Sequence, residues 1–283
     1  MRLAIGFLAT WMIVWSAHAA NLSTWNGKSV GSTPGNIGAV NGKQLGTSAG
    51  NTASWNGVNV QGGGSCTPGT QIFTYTGADQ SFVVPANCTS ITVKLWGGGG
   101  GAVEFNNGGG GGYSTGAISV TPGATLTIKV GGAGGASAGW PNGGARGAPG
   151  FCSTATGGGS SSVLSGSTVL VEAGGGGGGT GDLCDCGGGN GCPGQPAGGT
   201  TSCTPFGNRT GGAGQESSGG GGGGYCAGSG GVNGYGGGGG YSFFPIGGTQ
   251  IAGSGTGAGN KSEAPCSNAC GNSGQSGIVY FAW

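Results

Sequence analysis

Glycine sets the terms on which this chain can fold. Pure glycine runs at 97–101, 108–112, 174–179, 219–224 and 236–240 punctuate a sequence in which 81 of 283 residues are glycine. A glycine has no side chain to bury or to react, and ordering one costs about 0.5–1 kcal/mol more than ordering alanine. Such a chain either stays disordered or uses its bare backbone as building material. Disordered chains are poor in aromatic and β-branched residues and often highly charged. This one carries 7 Trp, 9 Phe, 6 Tyr and 10 Cys with only 5 % charged residues, so it reads as folded.

The N-terminus has the layout of a secretory signal peptide over residues 1–19. Arg2 forms a minimal positive region, residues 3–15 an apolar one, and Ala17-His18-Ala19 a cleavage site. A retained anchor needs about 20 apolar residues, and this run breaks at Ser16. The expected location is extracellular or at the cell surface, with no transmembrane segment in the mature chain. Cleavage removes His18, the only histidine. It also leaves seven basic residues (Lys28, Lys43, Lys94, Lys129, Arg146, Arg209, Lys261) against seven acidic ones (Asp79, Glu104, Glu172, Asp182, Asp185, Glu216, Glu263). A neutral chain lacks the basic patch that nucleic acid or an anionic membrane requires.

Ten cysteines in an exported chain read as disulfides. Cys66 and Cys88 flank a candidate strand pair, 71–76 and 81–84, which a bridge between them would staple. Cys152, Cys184, Cys186, Cys192, Cys203, Cys226, Cys266 and Cys270 lie in or beside glycine-rich stretches, where crosslinks substitute for a missing core. Zinc at Cys184, Cys186, Cys192 and Cys203 is disfavoured by the spacing and the lack of histidine. Calcium at Asp182 and Asp185 lacks the ligand spacing of a calcium loop. No metal or cofactor is expected.

Three zones follow the signal. Over residues 20–64, Trp25-Asn26-Gly27, Val40-Asn41-Gly42 and Trp55-Asn56-Gly57 recur every fifteen residues, with Lys28 matching Lys43. Asn-Gly is the strongest short hairpin signal, so the repeat predicts small β-hairpins or arcs in an arm or stalk, with a flexible spacer as the alternative. Residues 65–283 form the second and third zones together. Period-two alternation marks short strands: Ile91, Val93 and Leu95 against Thr92, Lys94 and Trp96; Leu126, Ile128 and Val130; Ile118 and Val120; Val169 and Val171; Ile278, Tyr280 and Ala282. Turns are expected at Pro122-Gly123 and Ser165-Gly166. The last strand must return to the sheet begun near residue 71, which closes a β-sandwich. An outer-membrane barrel would need many more ten-residue alternating strands.

Between these strands, at about 97–112, 131–159 and 174–275, lies the glycine itself. Polyproline-II helices have three residues per turn and no internal hydrogen bonds. Built of glycine, they can lie close enough for their N–H and C=O groups to bond between helices. Collagen is excluded because the triplet register fails outside 144–149. The expected fold is therefore mainly β: a jelly-roll-like sandwich with inserted, packed polyglycine helices, stapled by disulfides and without substantial α-helix.

The run from Ser81 to Trp96, the glycines that follow it, Gly112 to Gly116 and Leu126 to Gly131 resemble the bacterial secreted glycine-rich domain family. More distantly they resemble the extracellular glycine-rich domain of the anaplastic lymphoma and leukocyte receptor tyrosine kinases and the tips of phage tail-fibre adhesins. The resemblance covers about residues 70–283 and implies the same sandwich with polyglycine helices emerging between strands.

Catalysis is not expected. Gly46 to Gly50 and Gly112 to Gly116 fit a nucleophile-elbow pattern, but a chain without histidine lacks the usual base. Gly-x-Gly-x-x-Gly means nothing in this background, and the scattered acids offer no pair for glycoside hydrolysis. What stands out against glycine is Trp140, Arg146, Phe206, Arg209, Tyr225, Tyr235, Tyr241, Phe243 and Phe244. Such residues are the usual anchors of interfaces, so they form a candidate binding rim; packing under the glycine helices is the competing reading. The expected function is that of a non-catalytic structural or adhesive protein, a coat or filament subunit assembling with itself through the arm. A soluble binding module for a glycan or protein is the alternative. Ice binding is disfavoured by the irregular aromatics.

Overall fold

Alternating apolar residues and glycine runs build two different materials in one chain, joined end to end. The computed structural model describes residues 65–103, 106–148, 150, 152–181, 197, 209–245 and 247–283, together with the backbone of six short strands before them. The chain divides into two units, Met1–Ser65 and Cys66–Trp283.

The first unit contains three hairpins: β1 (Thr24–Trp25) with β2 (Lys28–Ser29), β3 (Ala39–Val40) with β4 (Lys43–Gln44), and β5 (Thr52–Trp55) with β6 (Val58–Gln61). Trp25 pairs with Lys28, Val40 with Lys43 and Trp55 with Val58. The two residues left between each pair are the three Asn-Gly dipeptides. This is the hairpin that the repeat predicts.

The second unit holds β7 (Thr70–Thr74), β8 (Gln80–Val83), β9 (Ser90–Trp96), β10 (Tyr113–Ser119), β11 (Thr125–Lys129), β12 (Ser161–Ser165), β13 (Thr168–Ala173), β14 (Thr249–Ile251) and β15 (Ile278–Ala282). They form two antiparallel sheets, ordered β14-β10-β9-β15-β7 and β13-β12-β11-β8, with no helix among the described residues. Inward side chains of both sheets make one core. Ile91, Val93 and Leu95 face Leu126, Ile128, Val163 and Val171, and Phe73, Phe82 and Phe281 meet edge-on with ring centroids 5.1–6.3 Å apart. Turns stand at Gly123 and Gly166, both at positive φ.

Three expectations are corrected. The strands at 71–76 and 81–84 are not partners: β7 pairs with β15 and β8 with β11, in opposite sheets. Phe73 and Phe82 thus meet across the core, and the Cys66–Cys88 disulfide ties the two layers instead of stapling one hairpin. In β15 it is Val279 and Phe281, fully buried, that face the core, and not Ile278, Tyr280 and Ala282. Both faces of that strand are apolar, so alternation could not choose between them. In β13 a bulge at Leu170 interrupts the expected Val169–Val171 face: Val163 pairs with Val171 but Leu164 with Val169. Leu170 packs against the core in its place.

The glycine segments all leave the sandwich at one end. Trp96 lies opposite Tyr113 and Ile278, so the excursions 97–112 and 174–277 start and finish side by side. Excursion 130–160 springs from Lys129 and returns at Ser161, whose hydroxyl donates to the Trp96 carbonyl at 2.6 Å and links the sheets there. Hydrogen bonds within the excursions repeat every three residues, as three residues per turn demand. The N–H groups of Gly97 and Gly100 donate to Gly112 and Gly109, those of Gly98 and Gly101 to Gly159 and Thr156, and that of Gly99 to Gln275. In the run 219–224 the targets are Tyr235 and Gly238, then Ala155 and Gly158, then Gly212 and Arg209. The segment 174–179 lies inside the bundle, bonded to runs around residues 98–101, 109–112, 155–158, 220–223 and 237–240.

Glycine is required here for space. A Cβ on Gly177 would overlap the Gly237 carbonyl, and one on Gly222 the Gly175 carbonyl. At Gly135, by contrast, an added Cβ meets nothing within 4 Å. Cys266 and Cys270 are joined, Cys152 and Cys226 each take part in a disulfide, and Cys184, Cys186, Cys192 and Cys203 lie outside the described residues, as do Asp182 and Asp185.

Chemical denaturation checks this packing. Gly177→Ala is expected to cost about 3 kcal/mol, the upper end of overpacking penalties, because the obstacle is backbone and cannot change rotamer. Gly135→Ala is expected to be stabilising by about 0.4–1 kcal/mol through the unfolded state. Equal effects at the two positions would contradict a close-packed glycine bundle.

Candidate functional site

The bulge at Leu170 turns Glu172 into the outer layer at the free edge of the four-stranded sheet, where the bundle covers it completely. Glu172 exchanges both backbone hydrogen bonds with Phe243, each at 2.8 Å, so a glycine-bundle segment continues the sheet there. Its carboxylate accepts from Arg209 Nη2 at 2.7 Å on Oε2 and from the Ser160 hydroxyl at 2.5 Å on Oε1. The Asn142 side-chain amide donates to Ser160 Oγ at 2.9 Å, and its Oδ1 accepts from the Ser160 N–H at 2.9 Å. Burial pushes the Glu172 carboxyl above the ordinary carboxylate range, and the Arg209 charge with the hydrogen bonds from Arg209, Ser160 and Asn142 opposes that rise without cancelling it.

Arg209 is a third exposed and joins this interior network to the surface. Around it lie Tyr225, Tyr241 and Phe243. The Tyr225 and Phe243 rings stack at 4.1 Å and 11°, the Tyr225 N–H donates to the Tyr241 carbonyl at 2.9 Å, and the Gly224 N–H donates to the Arg209 carbonyl at 3.2 Å. Tyr241 is 40 % exposed. Trp140 borders the same end of the bundle, two residues before Asn142, with Lys129 Nζ 5.6 Å from its ring centroid.

The nine candidate rim residues therefore divide. Arg209, Tyr225, Tyr241, Phe243 and Trp140 gather where bundle and sandwich meet. Arg146 and Tyr235 lie at the far tip, where the Arg146 guanidinium donates to the Thr154 carbonyl and the Tyr235 carbonyl accepts from the Gly219 N–H. Phe244 is buried in the sandwich core, where its ring fills the space that a Cβ on Gly116 or Gly248 would need; it is not a rim residue. Phe206 lies outside the described residues. Sequence reasoning passed over Glu172, Ser160 and Asn142. A signal was present for the first: a lone carboxylate inside the apolar run Val169–Ala173.

Each oxygen of the Glu172 carboxylate thus has a partner, Arg209 on Oε2 and Ser160 on Oε1. The sequence over residues 74–283 is matched by a family model described as a glycine-rich domain; no curated protein matches the chain. No helix among the described residues is long and apolar enough to cross a membrane.

Removing one partner of a buried ion pair costs about 3–5 kcal/mol. With Arg209 partly in water, Arg209→Met is expected near the lower figure at neutral pH. Its cost should shrink as the pH falls, because a carboxyl raised by burial takes up a proton and no longer needs the cation. Sign follows from linkage: a carboxyl whose folded value is raised contributes stability below its unfolded value and loses it as pH rises through the folded one. Unfolding curves of the variant across acid to neutral pH check this; a pH-independent loss would contradict a charge-specific role for Arg209.

Proposed function

We propose, for a chain that belongs to the glycine-rich domain family, a non-catalytic structural or adhesive role outside the cell. In this reading it is a coat or filament subunit that associates with copies of itself through the 20–64 repeat. The observation that carries the reading is the three-residue hydrogen-bond period of the bundle. It ties many extended segments together through backbone hydrogen bonds. Such a crosslinked array suits load-bearing and display better than turnover. Disulfides at Cys66–Cys88 and Cys266–Cys270 agree with the secretion that residues 1–19 suggest.

The cluster of Arg209, Tyr225, Tyr241 and Phe243 favours the second reading, a soluble module that recognises a surface glycan or protein. Exposed tyrosine beside arginine is the composition of interface anchors, and here the stacked pair holds it in place.

Deletion of residues 20–64 separates the two. The second unit carries its own core and should fold without the repeat. Analytical ultracentrifugation and negative-stain microscopy of the full mature chain are expected to show concentration-dependent assemblies, and the deletion only single particles. Assembly that survives the deletion would remove the repeat from the role. A full-length chain that stays monomeric at all concentrations, yet binds a glycan array in a manner lost on Tyr241→Ser, would establish the module reading instead.

A further inference from the structure

A second cluster of polar side chains lies on the outer face of the five-stranded sheet, away from the rim. Lys94 is carried by β9, which is paired on both sides, to β10 and to β15. The chain passes over this face at residues 258–270, closed by the buried Cys266–Cys270 disulfide and packed on Trp96 and Tyr113. From this cover Glu263 reaches the sheet. Its Oε1 lies 2.6 Å from Lys94 Nζ, while Oε2 accepts from the Tyr113 hydroxyl at 2.7 Å and from the Asn260 side-chain amide. Lys94 Nζ also stands 5.6 Å from the centroid of the Tyr280 ring. One carboxylate thus holds an amine on one oxygen and a carboxamide on the other.

We propose that Lys94 and Asn260 are joined by an intramolecular amide crosslink whose formation Glu263 catalyses. The Glu263 carboxylate takes a proton from the Lys94 ammonium, and the freed amine adds through its lone pair to Cγ of Asn260. The carboxyl returns that proton to Nδ2, the Cγ–Nδ2 bond breaks, and ammonia leaves. The new amide nitrogen gives up its surplus proton through Glu263, and the ammonia departs as ammonium. Lysine ammonium and asparagine carboxamide become a secondary amide and ammonium; the carboxylate is regenerated and no oxidant is consumed.

Several features serve this step and are superfluous to a plain ion pair. Asn260 is held at φ +46°, a region that few non-glycine residues occupy, and its carbonyl accepts from the Trp96 indole N–H at 3.4 Å. Its side chain is thereby presented to the carboxylate from a fixed backbone. Burial, reinforced by Glu263, pushes the Tyr113 hydroxyl up to about 12, which keeps it a donor to Oε2. Burial opposes ionisation of Glu263, but hydrogen bonds from Lys94, Tyr113 and Asn260 and the Lys94 charge hold its carboxyl below the ordinary range. It therefore stands as a carboxylate between the amine and the carboxamide. Holding the reactants on one group removes the need for encounter. The resulting bond would tie β9 to its cover whether or not the disulfide is oxidised.

Tandem mass spectrometry of the full-length protein, reduced, alkylated and digested with trypsin, tests the proposal independently of any assembly or ligand. The expected result is a branched peptide joining the Lys94 and Asn260 segments with loss of one ammonia, and blocked cleavage after Lys94. The branched peptide is the readout, because ammonia loss alone also accompanies cyclisation at Asn-Gly sequences. Complete cleavage after Lys94 with an intact Asn260 peptide from folded protein would overturn the crosslink. Glu263→Gln and Lys94→Arg, checked for folding by circular dichroism, are expected to yield no branched peptide. Its persistence in Glu263→Gln would overturn the role of Glu263.

Discussion

Backbone amides bonded between helices are the interaction on which the rest of this molecule depends. A net intramolecular hydrogen bond contributes about 0.5–1.5 kcal/mol, close to the extra cost of about 0.5–1 kcal/mol for ordering a glycine in place of alanine. The two terms nearly offset, so the bundle is tenable only when almost every amide finds a partner. The three-residue period meets that demand. Consecutive N–H groups of the run 97–101 turn to three different neighbours and then return to the first. A side chain at an interior position would occupy the space of the facing carbonyl, so absence of side chains is the condition of the lattice and not merely its composition.

Among the described residues the apolar clusters lie in the sandwich and under the cover on its outer face, not in the bundle. Strand ends at Trp96, Tyr113, Ala173 and Ile278 deliver the glycine segments in register, and the Ser161 hydroxyl bonds the two sheets where they depart. The Glu172–Phe243 bridge extends a sheet directly into the bundle. Placing a carboxylate at that junction creates a demand for Arg209 from the excursion 174–277 and for Ser160 and Asn142 from the excursion 130–160. A buried charge with its partners adds little net stability but penalises arrangements in which the partners are absent. The junction thus specifies how these two excursions are arranged against each other.

Much of this was legible from residues alone. Alternation located the core faces of β9 and β11, Asn-Gly located the three hairpins of the repeat, and the composition of the excursions required some form of backbone-to-backbone packing. Alternation failed at β15, where every residue is apolar, and at β13, where an inserted residue shifts the face. It could not reveal that β7 and β8 belong to different sheets, because Phe73 and Phe82 are inward-facing in either arrangement. At the rim, residue type singled out Arg209, Tyr225, Tyr241 and Phe243 but equally Phe244, whose fate depends on its facing Gly116 and Gly248.

Sequence by itself determined the two materials: strands wherever β-branched and aromatic residues alternate, and extended bonded coils wherever glycine leaves the backbone bare. These are local properties, set by side-chain size and period. Tertiary structure alone decided which glycine run lies beside which, how Arg209 reaches Glu172, and that Glu263 meets both Lys94 and Asn260. Glycine runs are interchangeable in sequence, since none carries a side chain to mark its neighbour. Their order in the bundle follows from where the sandwich releases each one and from the few polar side chains that await it there.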